Sequence, residues 1–233
     1  MDSTDNLRQL FARKAAIRAG SATAVLAGRR RDLRVWQAGR LASTYEDLRR
    51  QPRYSAAVEF FLSDLYGAED TSRRDRDLRR AWMHFKRVLP TAALEALEHA
   101  VALDVLSAEL DQAMTEQLAG GELTEAAYAD AYRRVGRAGE RQRQIGLLIR
   151  IGEDLDRIVR RRWIGVALRA AHGPARAAGF GDLQGFLERG FAAFRQMKGA
   201  QPLLDAIRTR ETQLMDTQFG GAAKAGTLRA GAL

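Results

Sequence analysis

The sequence contains no cysteine, and this absence excludes a disulfide framework, a thiolate nucleophile and thiolate metal sites. It fits a reducing compartment, so we expect a cytoplasmic protein, although bacterial periplasmic proteins can also lack cysteine. Only three histidines occur in 233 residues, which leaves few nitrogen ligands for a metal ion. No apolar run approaches the ~20 residues of a transmembrane helix, and we therefore expect no membrane span.

Proline and strand signals are also scarce. The chain has four prolines, no convincing apolar–polar alternation at period two, and no Asn-Gly or Asp-Gly hairpin signal. Alanine, leucine, arginine and glutamate dominate, which favours helix throughout. The sequence therefore predicts an all-α fold, a multi-helix bundle of about eight helices without a fixed-period repeat.

Lysine is rare, because arginine supplies all but four of the 38 basic residues behind the net charge of +9. Arginine suits planar, bidentate partners such as carboxylates and phosphates. Nucleic-acid binding is therefore one hypothesis, with affinity that falls steeply with salt. We favour a simpler explanation for the many arginines: they lie on solvated helix faces and reflect the composition of a GC-rich bacterial genome. The basic patches are Arg29, Arg30, Arg31 and Arg34, and Arg160, Arg161 and Arg162.

Three segments are expected along the chain: a basic amphipathic segment over residues 1–20, one helical domain over 21–219, and a flexible tail of small residues over 220–233. The short apolar run 22–27 precedes three arginines rather than a neutral cleavage site, so we expect the start of a mature chain and not a signal peptide.

The spacing of apolar residues, prolines and glycines predicts the individual helices. The longest covers residues 91–119 and is apolar on several sides, which is typical of a helix at the centre of its domain. The other predicted helices cover 4–19, 21–50, 52–67, 72–89, 128–135, 145–160, 163–171, 182–197 with Asp182 as its cap, and a last one from Pro202.

Charged residues on apolar helix faces mark the stretch 60–82. Asp64 lies four residues after Phe60, while Arg74 and Asp75 lie four and three residues before Leu78. Charges on a core-facing stripe are costly unless they are paired. We expect all three to be at least half buried and joined by charge-assisted hydrogen bonds. Removing Arg74 would then cost roughly 3–5 kcal/mol.

The long central helix carries a second polar set, which includes Glu95, His99 and Glu109. Di-iron bundles need Glu-x-x-His on each of two helices, whereas Glu95 and His99 are four apart and no second copy exists. We therefore assign no metal ligands and no cofactor, and expect these acids to pair with arginines of 73–80 or with Arg141 and Arg143.

These polar residues, with tyrosines that need hydroxyl partners, could line a pocket between helices. A satisfied hydrogen-bond network is the interpretation that we favour, and a ligand site is the alternative. The candidate ligand-binding residues are Asp64, Tyr66, Arg74, Asp75, Glu95, His99, Glu109 and Tyr132.

Four sequence blocks carry a family resemblance: FFLSDLYG (60–67), RDRD (74–77), SAELD (107–111) and GFAAFRQM (190–197). Together they resemble an uncharacterised family of all-helical proteobacterial proteins, over about residues 50 to 219. The resemblance implies a soluble bacterial protein and carries no activity with it.

The leading hypothesis for function is a cytoplasmic helical binding or regulatory protein that acts through a protein partner, through self-association or through a small ligand. No Gly-x-Ser-x-Gly elbow or other nucleophile set supports an assigned enzyme activity. The alternatives are a helical metalloprotein or enzyme with an interhelical polar site, and a nucleic-acid-binding protein that uses the arginine patches.

Overall fold

A computed structural model describes residues 3–20, 24–65, 72–85, 91–118 and 122–227. Within these ranges the chain forms eleven α-helices, one π-helical segment and no strand. The helices are α1 (Ser3–Gly20), α2 (Ala24–Thr44), α3 (Glu46–Arg49), α4 (Ser55–Phe60), α5 (Ser72–Phe85), α6 (Thr91–Gln117), α7 (Glu125–Val135), α8 (Ala138–Val159), α9 (Arg162–Ala177), α10 (Gly181–Met197) and α11 (Gln201–Thr227).

The all-α bundle predicted from the sequence is confirmed, although the described part of the chain has eleven α-helices rather than about eight. The helix predicted over 21–50 is divided at Tyr45 into α2 and the four-residue α3. The helix predicted over 52–67 is the six-residue α4, which continues as a π-helical segment over Phe61–Leu65. Such short elements have no apolar period of their own and are hard to separate from their neighbours.

Helix α6 lies at the centre of the bundle, as predicted. It packs against α1, α2, α7 and α8. Val105, Leu110 and Met114 on this helix are almost completely buried. A helix that is apolar on several sides needs neighbours on several sides, and α6 has them.

Helix α1 packs along α6 and does not extend away from the bundle. Leu7 and Leu10 are buried in a cluster with Trp82 and Val101. Polar contacts of α1 with α6 include an ion pair between Lys14 and Asp104.

The largest part of the core is formed by α4, α8, α10 and α11. Phe194, Met197, Leu203 and Leu204 are at most 1% exposed within it. Helix α8 packs on α6 on one side and on α10 and α11 on another, so it connects the central helix to this core.

Two blocks of the family resemblance meet in this core. The ring of Phe60 lies where a side chain on Gly190 would be, because a Cβ atom there would be 2.8 Å from its Cζ. Asp64, in the π-helical segment, accepts hydrogen bonds from the guanidinium of Arg189. These contacts fix the π-helical segment against α10.

Some predicted helix ends are wrong. Helix α9 does not stop at residue 171 but passes through Pro174, which is exposed, so that water can reach the carbonyl group that has lost its helical donor. Helix α10 begins at Gly181, with Asp182 in its first turn and not at its N-cap. Helix α11 continues to Thr227, into the segment that was predicted to be a tail; residues 228–233 lie outside the described residues.

Candidate functional site

The helices surround a partly open cavity of about 1030 Å³. Its walls are mostly apolar and include Phe60 of α4, Phe61 of the π-helical segment, Leu97 of α6 and Leu148 of α8. A cavity of this size is large enough for a drug-sized organic molecule.

Polar side chains are concentrated at one end of this cavity, between α2, α6, α7, α8 and α11. Several of them are buried, and most hydrogen bond to each other. The residues of this polar end are Arg34, Gln37, Arg40, Tyr45, Asp111, Tyr128, Tyr132, Arg141 and Glu211.

Arg40, Tyr45 and Glu211 form one hydrogen-bonded group at the polar end. Arg40 Nη1 donates to both carboxylate oxygens of Glu211, at 2.8 and 2.9 Å. The Tyr45 hydroxyl donates to Glu211 Oε1 at 2.8 Å. Burial and the nearby carboxylate raise the pKa of Tyr45, so the phenol stays protonated and remains a donor.

Asp111 is the second carboxylate of the polar end, and it is only 8% exposed. Its Oδ2 lies 3.5 Å from Arg34 Nε, and its Oδ1 accepts a hydrogen bond of 3.2 Å from Gln37 Nε2. Burial raises the pKa of Asp111, and the charges of Arg34 and Arg141 with the hydrogen bond from Gln37 oppose this only in part. Asp111 is therefore costly to keep ionised.

Arg141 differs from its neighbours because most of its hydrogen-bonding capacity is unused. The residue is 6% exposed, and its Nε and Nη2 have no hydrogen-bond partner among the described residues. Its guanidinium carbon lies 4.5 Å from the ring centroid of Tyr132. A stacked ring stabilises the charge but leaves the N–H groups in the guanidinium plane free.

The local sequence explains why Arg141 faces inward. Arg141 precedes Ile145 by four residues and Leu148 by seven, so all three lie on one face of α8. Gly136, at φ 65° and ψ −122°, ends α7 in a backbone conformation that favours glycine. The turn at Gly136 therefore places the first turn of α8, with Arg141, at the cavity.

A smaller polar cleft of about 380 Å³ lies between the first half of α6 and the second half of α8. His99 Nδ1 lies 2.8 Å from Asp154 Oδ2, and Arg157 also pairs with Asp154, which is 4% exposed. Among the described residues, no group of three His, Asp or Glu side chains is arranged to hold a metal ion.

The structure distributes the predicted ligand-binding residues over four places. Glu95 and His99 share the small cleft, whereas Tyr132 lies at the polar end of the cavity. Glu109 pairs with Arg13. Asp64, whose side chain is 12% exposed, pairs with Arg189. Tyr66 and the side chains of Arg74 and Asp75 lie outside the described residues, so their predicted network stays a prediction.

The two predicted basic patches lie on different helices. Arg34, at the end of the first patch, is directed to Asp111 at the cavity. In the second patch, Arg160 pairs with Asp156, and Arg161 and Arg162 are exposed at the start of α9. Nucleic-acid binding by these arginines stays a prediction.

The sequence did not predict four residues of this site, which are Arg40, Asp111, Arg141 and Glu211. A signal for Arg40, Arg141 and Glu211 was present, since each follows or precedes apolar residues by four and seven positions. Asp64 was predicted to be buried from the same kind of spacing, because it lies four residues after Phe60.

The chain matches a family described as a domain of unknown function (DUF8198) over residues 16–225. Because this match covers most of its length, the protein belongs to that family, and membership of an uncharacterised family is confirmed. Neither the curated proteins nor the solved structures include a match to this chain. Of the described helices, none combines the length and the apolar character that crossing a bilayer requires.

Proposed function

We propose that the protein binds a small molecule in the internal cavity, and that it acts as a binding or regulatory protein rather than as an enzyme. The observation that carries the proposal is Arg141: a buried guanidinium at the wall of a large cavity with two unsatisfied nitrogen atoms. Leaving such donors unpaired costs free energy that a ligand would recover.

The shape and chemistry of the cavity support a ligand better than a purely structural network. Binding sites for small molecules are mostly apolar, with a few polar groups that fix orientation. Here the apolar walls include Phe60 and Leu148, and five of the eight charged residues of the lining belong to the polar end. The other three are Lys14 and Asp104, which pair with each other, and Arg161. A structural network alone would be expected to satisfy its own members, as Tyr45 and Glu211 do. Arg40 pairs with Glu211 and leaves only its Nε without a hydrogen-bond partner among the described residues, whereas Arg141 leaves two nitrogen atoms without one.

Several finer points belong to the same proposal. The lack of cysteine supports a cytoplasmic location, and the resemblance to proteobacterial proteins supports a bacterial source. A protein partner or self-association stays a prediction, and sedimentation of the purified protein with and without cell extract would test it.

The test uses a neutral, apolar fluorescent probe, N-phenyl-1-naphthylamine, titrated into the purified full chain. We expect saturable enhancement of its fluorescence with about one site per chain. Ala100 of α6 lines the cavity, so Ala100→Phe should reduce probe binding at least tenfold, while Gln117→Phe on the exposed end of the same helix should not.

Far-ultraviolet circular dichroism would show that both variants are folded. A folded wild-type protein that gives no saturable signal would contradict the proposed function. Equal binding by the wild-type protein and by a folded Ala100→Phe variant would show that the probe binds elsewhere and would contradict it as well.

A further inference from the structure

We propose that the ligand is an amphipathic carboxylate, whose carboxylate is bound by Nε and Nη2 of Arg141 and whose apolar chain extends along the cavity. This inference rests on the proposed function, because it names the class of molecule that the cavity takes. Geometry, charge and the lining of the cavity each support it.

The two unsatisfied nitrogen atoms of Arg141 form one edge of the guanidinium. Nε and Nη2 point in the same direction and together match the two oxygens of a carboxylate. The same protein uses this edge elsewhere: Arg189 holds Asp64 through its Nε, at 3.1 Å from Oδ1, and through its Nη2. At Arg141 the corresponding edge has no acceptor among the described residues. Because both nitrogen atoms have almost no accessible surface, a ligand carboxylate reaches them when the guanidinium turns toward the cavity.

The carboxylates near Arg141 do not occupy this edge. Asp111 lies close enough for its pKa to be affected by the charge of Arg141, but its hydrogen bonds and ion pair are to Gln37 and Arg34. Glu211 is held by Arg40 and Tyr45. The edge of Arg141 formed by Nε and Nη2 is therefore left for a third carboxylate, which the ligand would supply.

The net charge of the polar end of the cavity favours a ligand that carries a single negative charge. Three guanidinium groups, those of Arg34, Arg40 and Arg141, face two carboxylates, those of Asp111 and Glu211. With both acids ionised the balance is +1, which a carboxylate monoanion neutralises. Uncompensated charge in a buried site is costly, so a neutral or cationic ligand would fit less well.

The remainder of the cavity favours an apolar chain attached to this carboxylate. From the polar end its lining continues through Ile145 and Leu148 of α8 to Leu97 and Val101 of α6. Each methylene group that is buried there should tighten binding about fourfold. A volume of about 1030 Å³ leaves space for a long chain.

The experiment measures displacement of N-phenyl-1-naphthylamine by decanoate, decanol and decylamine, which share a ten-carbon chain and differ in the head group. We expect decanoate to bind at least tenfold more tightly than decanol, because a hydrogen-bonded charge pair is formed. Decylamine should bind more weakly than decanol. Octanoate, decanoate and dodecanoate should follow the fourfold step per methylene.

Arg141→Met supplies the matched test, with Arg143→Met as its control, since Arg143 lies two residues away on the exposed face of α8. Arg141→Met should lose the preference for decanoate over decanol and keep its affinity for decanol and for the probe. Arg143→Met should retain the wild-type preference. Arg141→Lys, which keeps the charge but not the two-pronged edge, should retain only part of it.

The outcomes separate this inference from the proposed function. If the neutral probe binds but decanol displaces it as well as decanoate does, the cavity binds ligands and the carboxylate assignment is wrong. A folded Arg141→Met variant that still prefers decanoate would also overturn the role of Arg141. If the neutral probe does not bind, the proposed function itself fails.

Discussion

Arg40 on α2 and Glu211 on α11 are 171 positions apart in the sequence, and their side chains form a charge-assisted pair at the polar end of the cavity. The Arg40 side chain is 22% exposed and the Glu211 side chain 13% exposed. The Tyr45 hydroxyl donates to the same carboxylate. The pair connects the first half of the chain to its last helix.

Arg40→Met should destabilise the protein by about 3–5 kcal/mol, because it leaves the buried carboxylate of Glu211 without its cation. For a chain of this length that corresponds to a fall in Tm of roughly 6–20 °C. Thermal melting followed by circular dichroism would measure it. The double variant Arg40→Met/Glu211→Leu should recover part of the loss, since no unpaired charge remains.

The control for Arg40 is Arg50, which pairs with Glu46 at 2.9 Å on the surface of the protein. Its side chain is 77% exposed, so solvent screens the interaction. Arg50→Met should therefore leave Tm almost unchanged. Equal effects of Arg40→Met and Arg50→Met would show that the buried pair does not stabilise the fold.

Two glycines on α8 should respond in opposite directions to substitution by alanine. A Cβ atom on Gly152 would be 2.3 Å from Leu204 Cδ2 in the packed core, whereas nothing lies within 4 Å of one on Gly146. Gly152→Ala should lower the free energy of unfolding by about 1–3 kcal/mol. Gly146→Ala, on the exposed face, should raise it by up to about 1 kcal/mol. Urea denaturation would measure both.

Asp111→Asn should change the pH dependence of stability. Burial raises the pKa of Asp111 in the folded state above its ordinary value of 3.8. The folded state therefore binds this proton more tightly than the unfolded state does. The contribution of Asp111 to stability decreases as pH rises from the pKa of Asp111 in the unfolded state to its pKa in the folded state. Asparagine cannot ionise, so the variant avoids this loss.

The measurement for Asp111 is the difference in Tm between Asp111→Asn and the wild type, taken between pH 4 and pH 8. We expect this difference to become more favourable to the variant as pH rises. A difference that moves in the other direction would mean that Arg34, Gln37 and Arg141 outweigh the cost of burial.

The helices were largely predictable because their apolar residues recur at helical spacing and because glycines and prolines separate them. The span and central position of α6 follow from its apolar character on several sides. The π-helical segment over Phe61–Leu65 was not predictable, because its shape depends on the packing of Phe60 against Gly190 and on the pairing of Asp64 with Arg189.

The candidate site was harder to predict than the fold. Arg40, Arg141 and Glu211 each occupy apolar positions of different helices, so the sequence marks them singly as buried charges. The packing of α2, α8 and α11 decides which of these side chains meet. The spacing of apolar residues along each helix does not contain that information. Spacing likewise allowed Asp64, His99 and Tyr132 to line one pocket, which was the alternative to a structural network, whereas the structure separates them.

The last prediction contrasts two arginines of the same cavity. Arg40→Met should destabilise the ligand-free protein, but Arg141→Met should leave its Tm unchanged or raise it. The guanidinium of Arg141 is buried, with two nitrogen atoms unsatisfied among the described residues, and its removal relieves that cost. The stacking on Tyr132 is lost, which limits the gain.

Without ligand, Arg141→Met should be at least as stable as the wild type. Adding decanoate should make the wild type the more stable of the two. A ligand that binds only the folded state raises Tm, and at a hundredfold excess over Kd the stabilisation is about 2.7 kcal/mol. The wild type should gain this stabilisation in full, whereas Arg141→Met, which binds decanoate only about as tightly as decanol, should gain at most about 1.4 kcal/mol. A residue that weakens the empty protein and strengthens the occupied one is there for binding. If Arg141→Met lowered Tm as much as Arg40→Met does, Arg141 would be a structural residue with partners of its own.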